Sequence, residues 1–296
     1  MKKYTYFFTA LITLTLVGAN ISTNAQPGAT RTTSKITYHN GPVLTGAHNI
    51  YLIFYGCWGT VGCGAGGDTA TMDLLQNFSI DVGDSPYIQI NMTYPDGDGQ
   101  VPTGQLVYGG YLIDRSYSRG VELTRTDVVD LINEKVNAFQ LPHDPQGLYF
   151  VVPSADVGAS EMGFCTQGAR PYHGVGIVNG VPTLYGLLGN PARCPLVAGA
   201  TLYAKSYVAS TPNDTFSGDA MVGNLAHLLN GMISNPMGNG WYDRAGLEAP
   251  DKCAGTVGTI YLTSNGSWAN VRLGGRDYVL EQNWVNAKKG RCALLR

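Results

Sequence analysis

Charge is scarce in this chain of 296 residues, since Asp, Glu, Lys and Arg make up only 14% of it. No basic run appears anywhere, and the formal net charge is −2. Nucleic acids and anionic membranes are bound through clustered Lys and Arg, so neither is an expected partner. Past the N-terminal stretch, no segment approaches the ~20 apolar residues that span a bilayer. No paired C-x-x-C occurs, which argues against a zinc–cysteine site. Ser154, Ser160 and Ser206 lack a nucleophile-elbow context, so Ser–His–Asp catalysis finds no support. The glycines of 62–67 lack the lysine and helix start of a phosphate loop, and read instead as an insertion closed by a disulfide. There is no internal repeat, and no linker long enough to divide the chain.

What is present begins with a removable leader. Lys2 and Lys3 precede an apolar stretch at 6–18, and Thr23-Asn24-Ala25 offers small residues for cleavage before Gln26. Residues 1–25 are therefore read as a signal peptide, and 26–35 (QPGATRTTSK) as a flexible polar arm. Removing Lys2 and Lys3 leaves 17 basic against 21 acidic residues. The 39 glycines and 44% apolar content suit a loop-rich extracellular protein with a real core. Six cysteines, Cys57, Cys63, Cys165, Cys194, Cys253 and Cys292, form an even set behind a secretion signal, which favours disulfides. Spacing does not determine the pairing. The expectation is Cys57 with Cys63, Cys165 with Cys194, and Cys253 with Cys292.

Residues 36–296 read as one α/β domain with a mixed sheet and packed helices, a zincin-like arrangement being one form of it. Buried strands are expected at 49–55 and 148–152, and others at 36–39, 87–93, 105–113, 175–178, 183–187, 200–203, 271–273 and 276–280. Helices are expected at 69–78, 123–140 and 219–235. In the second, Thr124 or Thr126 is the cap, and Val128, Val129, Ile132, Val136 and Phe139 make the apolar face. The helix at 123–140 lies between two strands, which suggests a crossover packed on a sheet.

The most informative run is 224–253, NLAHLLNGMISNPMGNGWYDRAGLEAPDKC. Many zinc hydrolases carry a histidine on such a helix, a glutamate directly after it and a second ligand one turn later. His227 stands here, but Leu228 follows it and Gly231 takes the ligand position. Leucine moves no proton and glycine binds no metal. A metal at His227 would need further ligands, for which His173 and Asp251 are the candidates. The alternative is a core histidine hydrogen-bonded to a carbonyl or carboxylate. Asp243, Glu248 and Asp251 form an acidic loop that either binds a cation or caps backbone amides. Asn235-Pro236 stops the helix, and Trp241 and Tyr242 are expected to pack back as an anchor.

Several runs together resemble one family. They are 39–46 (HNGPVLTG), 51–56 (YLIFYG) with Trp58, 123–127 (LTRTD), 148–157 (LYFVVPSADV), 163–165 (GFC), 189–191 (GNP), 194–195 (CP), 218–242, 248–250 (EAP) with Cys253, and 275–292. This order is similar to the Exordium family of secreted proteins, also called the phosphate-induced protein family. The piece at 235–242 (NPMGNGWY) is the most specific. The resemblance implies an extracellular or wall-associated protein linked to growth and nutrient responses, and no particular reaction. Where the family pattern carries further cysteines after 165 and 195, this chain has none, and Cys57 and Cys63 look like an addition. That leaves the Cys165–Cys194 pairing open. The run 224–253 also looks like a weakened relative of secreted metallopeptidase-like sequences. Against that pattern His227, Pro236, Trp241, Tyr242, Asp243, Glu248, Asp251 and Cys253 are kept, whereas Leu228 and Asn235 replace acids.

The functional expectation is a disulfide-stabilised, non-catalytic extracellular protein with no cofactor, acting by binding a glycan or another protein. The alternative is a metal-dependent hydrolase with zinc on His227, His173 and Asp251.

Overall fold

The strands at 49–55 and 148–152 are apolar on both sides, so both faces of the sheet they enter must be covered. The computed structural model describes residues 35–59, 62–63, 67–166, 171–194, 210–287 and 289–296. The leader, nearly all of the arm and the strand expected at 200–203 lie outside the described residues. The strands that organise the domain are β1 (Thr37–Tyr38), β2 (His48–Tyr55), β3 (Leu106–Asp114), β4 (Gly147–Pro153), β5 (Tyr172–Val178), β6 (Val181–Leu187) and β7 (Trp241–Tyr242). The described helices of more than two turns are α1 (Thr69–Asp81), α2 (Arg125–Asn137) and α3 (Phe216–Ser234).

Five strands form the central sheet in the order β3-β2-β4-β6-β5. The first three neighbouring pairs are parallel, and β5 runs antiparallel to β6 at the edge. Alternation along β2 and β4 divides the core in two. Ile50, Leu52, Phe54, Leu148, Phe150 and Val152 face α1 and α3. Tyr51, Ile53, Tyr55, Tyr149 and Val151 face α2. The result is a single mixed α/β domain with helices on both faces, and α2 is the crossover expected between β3 and β4.

The local chemistry explains the element ends. Asp68 caps α1 by accepting the Thr71 N–H. Thr124 caps α2 in a full capping box with Asp127. Phe139, expected on the apolar face of α2, is instead 96% exposed. The helix ends two residues before it, and Phe139 adopts φ 55°, which turns its side chain off that face. The strand expected at 87–93 is a 3-10 helix, Ile88–Thr93. Side chains there bond the local backbone: Ser85 Oγ accepts the Ile88 N–H, Asn91 donates to the Ile88 carbonyl, and Thr93 donates to that of Ile90. Such bonds compete with a strand ladder. Trp241 and Tyr242 do pack back. They pair as β7 with β1, and the Trp241 indole N–H donates to the Pro95 carbonyl.

The C-terminal part adds small hairpins, 271–273 with 276–278 and 283–285 with 291–293. All three expected disulfides form: Cys57–Cys63, Cys165–Cys194 and Cys253–Cys292. Among the described residues no helix is long and apolar enough to cross a membrane.

The Cys253–Cys292 bridge closes a span of 39 residues and ties the acidic loop to the last hairpin. Replacing both cysteines with serine is expected to cost about 4 kcal/mol, read as a lower urea midpoint with an intact native signal.

Candidate functional site

α3 is apolar and buried nearly all round, because the sheet, α1 and the 3-10 helix at 88–93 pack around it. Its start is capped by Thr215, which accepts the Gly218 N–H. Close contact with the sheet is possible because β6 carries Gly186. A Cβ there would stand 2.9 Å from the Leu228 Cδ1. Leu228 is 1% exposed and packs on the sheet. This is the position where a zinc hydrolase would hold its base.

His227, one residue earlier, lies at the helix surface, where the acidic loop and the C-terminal segment meet. Its Nε2 lies 3.4 Å from Asp251 Oδ1, and its Nδ1 lies 3.4 Å from Glu281 Oε2. Burial alone would lower the imidazole pKa, but the hydrogen bonds and charges of Asp251 and Glu281 outweigh it and raise the value to about 10. At neutral pH the ring is therefore held in its protonated form, with both nitrogens directed at carboxylates. Glu281 also accepts the Gly255 N–H, and Asp251 accepts that of Glu248. The charge thus joins α3, the loop and the last part of the chain.

The remaining polar groups form a second cluster around Glu248. Its Oε2 lies 3.0 Å from His173 Nε2, and its Oε1 accepts a 2.6 Å bond from the Asn235 amide. The Asn235 side-chain oxygen Oδ1 in turn accepts the Gly240 N–H. An aspartate at 235 could not donate to Glu248 and would set two carboxylates together. Gly231 is equally specific. A Cβ at that position would fall 2.4 Å from Glu248 Oε2 and 3.1 Å from His173 Nε2. The missing side chain leaves the room that the Glu248–His173 pair occupies. Asp243, fully buried, accepts the Ala245 and Leu247 N–H groups and pairs with Lys252 at 3.1 Å.

A pocket of about 500 Å³ lies between the start of β5, the second half of α3 and the turns near 237 and 246–251. His173, His227, Leu228, Met237, Glu248 and Asp251 all line it. The structure thus brings His227, His173 and Asp251 to one place, together with Glu248. It leaves Asp243 outside the lining. The two imidazoles do not converge; each faces its own carboxylate. Among the described residues no three His, Cys, Asp or Glu side chains make a group able to hold a metal ion. Glu281 and Lys252 were not singled out from the sequence, and Asn235 was read as a helix stop and a replaced acid rather than as a donor to Glu248. Glu281 stands 54 positions from His227, and no spacing rule links them.

The sequence profile described as "Phosphate-induced protein 1 conserved region" matches residues 36–293. The chain is 29% identical to Protein EXORDIUM-like 3 of Arabidopsis thaliana over 248 residues, which covers 76% of this chain and 70% of that protein. It is 28% identical to Protein EXORDIUM-like 1 of the same plant over 303 residues, covering 92% and 94%. No solved structure matches. The likeness of 224–253 to metallopeptidases finds no counterpart in these comparisons.

The His227 clamp makes stability depend on pH. The folded-state value near 10 stands above the ordinary 6.5, so the folded state holds the proton more tightly. The stabilisation is full below about pH 6.5, declines above it, and is lost as pH rises through about 10. His227→Ala is expected to cost about 3 kcal/mol at neutral pH. The difference from the parent protein should close in alkaline solution, as read from unfolding curves at a series of pH values.

Proposed function

The chain belongs to the Exordium, or phosphate-induced protein, family, and on that premise we propose that it is a secreted, non-catalytic binding protein. It acts outside the cell or at the wall, and its pocket beside α3 takes a glycan or a segment of another protein. By family likeness its role lies in growth and nutrient response. Three disulfides support an extracellular setting.

One observation carries the non-catalytic reading. Both ring nitrogens of His227 are engaged by carboxylates, and the next position is a buried leucine. Hydrolysis needs a group that accepts a proton from water, and the helix supplies none. The pocket itself has the size of a small-ligand site and mixes apolar walls with a few fixed polar groups, which suits recognition. The second reading, a metal-dependent hydrolase, is favoured by one fact: His173, His227 and Asp251 share that pocket. It requires Asp251 and Glu281 to release His227.

Two measurements test the proposal. Met237 lines the pocket and is 46% exposed, so Met237→Trp fills the space without disturbing the core. Wall polysaccharides and extracellular peptides arrayed against the parent protein and Met237→Trp should give binding that falls at least tenfold in the variant. Metal analysis of the purified protein should find no stoichiometric zinc. Zinc at one equivalent that disappears in His227→Ala would overturn the reading in favour of the hydrolase.

A further inference from the structure

The two edges of the central sheet differ. At β3 the register with β2 shifts between Ile50 and Tyr51, opposite Gly109 and Gly110, and Gly110 adopts φ 125°. Such a bulge kinks an edge and blocks further pairing. β5 has no such defence. It pairs with β6 without interruption from Tyr172 to Val178 and carries no proline and no Lys, Arg, Asp or Glu. Among the described residues no backbone group outside β6 bonds to it.

The geometry of this outer edge follows from the turn. Asn179 and Gly180 adopt φ 49° and 81°, the two left-handed residues of a type I′ hairpin. Val178 and Val181 therefore form a hydrogen-bonded pair. By alternation, the N–H and C=O groups of His173, Val175 and Ile177 point away from β6. The side chains of these residues share one face. On that face His173 meets Glu248 below α3, while Val175 and Ile177 are 41% and 59% exposed. Backbone donors and acceptors, an apolar strip and the pocket mouth thus lie along one line.

The charge at that mouth selects what can enter. Of the side chains lining the pocket, Glu248 and Asp251 are carboxylates, and no Lys or Arg stands among them. We propose that β5 captures an extended polypeptide segment as an added strand, with a basic side chain of that segment entering the pocket beside Glu248 and Asp251. This rests on the reading of the pocket as a binding site, and it names the ligand class. Main-chain bonds to β5 supply affinity, and the pocket supplies choice of side chain.

The probe is a capped heptapeptide of alternating threonine and valine with a central lysine, compared with the same peptide carrying glutamate there. Calorimetry on the full disulfide-bonded protein should show the lysine peptide binding at least tenfold more tightly. Methylating alternate amide nitrogens of the peptide should abolish binding. In Val175→Pro the lost N–H is one that β6 does not use, so the fold is kept and binding should fall at least tenfold. Met237→Trp should lose it as well. Binding that survives Val175→Pro but not Met237→Trp overturns strand addition and leaves the pocket reading standing. Binding that survives both overturns the two together. No binding of either peptide, with polysaccharide binding that Met237→Trp abolishes, likewise sinks strand addition alone.

Discussion

A single half-buried charge organises the corner of this domain beside the pocket. His227 has carboxylates on both sides of its ring, and each belongs to a different part of the chain. The two carboxylates hold the ring in its charged form, and removing His227 would leave both of them without their cation. The clamp therefore holds the loop near 251 and the segment near 281 against α3. The Cys253–Cys292 bridge and the Lys252–Asp243 pair act on the same corner. Together they give the pocket a wall that is preorganised before any ligand arrives, which lowers the entropy that binding must offset.

The three positions that depart from a metallopeptidase pattern share one physical logic. Leu228 packs against the sheet at Gly186, where a carboxylate would be buried without compensation. Gly231 clears the volume that Glu248 and His173 fill. Asn235 donates to Glu248 while accepting from Gly240, which an acid could not do. The acids beside this part of the helix come from the neighbouring loop. The result is one coherent polar network.

Much of the fold was legible. β2 and β4 declare themselves by unbroken apolar runs, α2 by its cap and its 3.6-residue spacing, and the end of α3 by Asn235-Pro236. The failures were local. Residues 88–93 have the alternation of a strand, yet three side-chain bonds to the backbone make a 3-10 turn the better state. Phe139 continues the apolar spacing of α2 but lies past its last turn, so its ring is left in water. The disulfide pairing, open from spacing, follows from the fold: Cys57–Cys63 closes one loop, Cys165–Cys194 joins the loop before β5 to the one after β6, and Cys253–Cys292 ties the acidic loop to the last hairpin.

The sequence by itself determined that a layered α/β core would form and that His227 would stand on a helix without an adjacent acid. It also set His173, Glu248 and Asp251 apart as the residues worth finding. Only the tertiary structure decided that these residues pair two by two, and that Glu281 completes the clamp. Among the described residues, it also left the outer edge of β5 without a backbone partner beside the pocket. Period and composition act over a few residues, and so they shape helices and strands. Charge pairing and edge exposure depend on segments many positions apart, whose meeting is determined only when the whole core has packed.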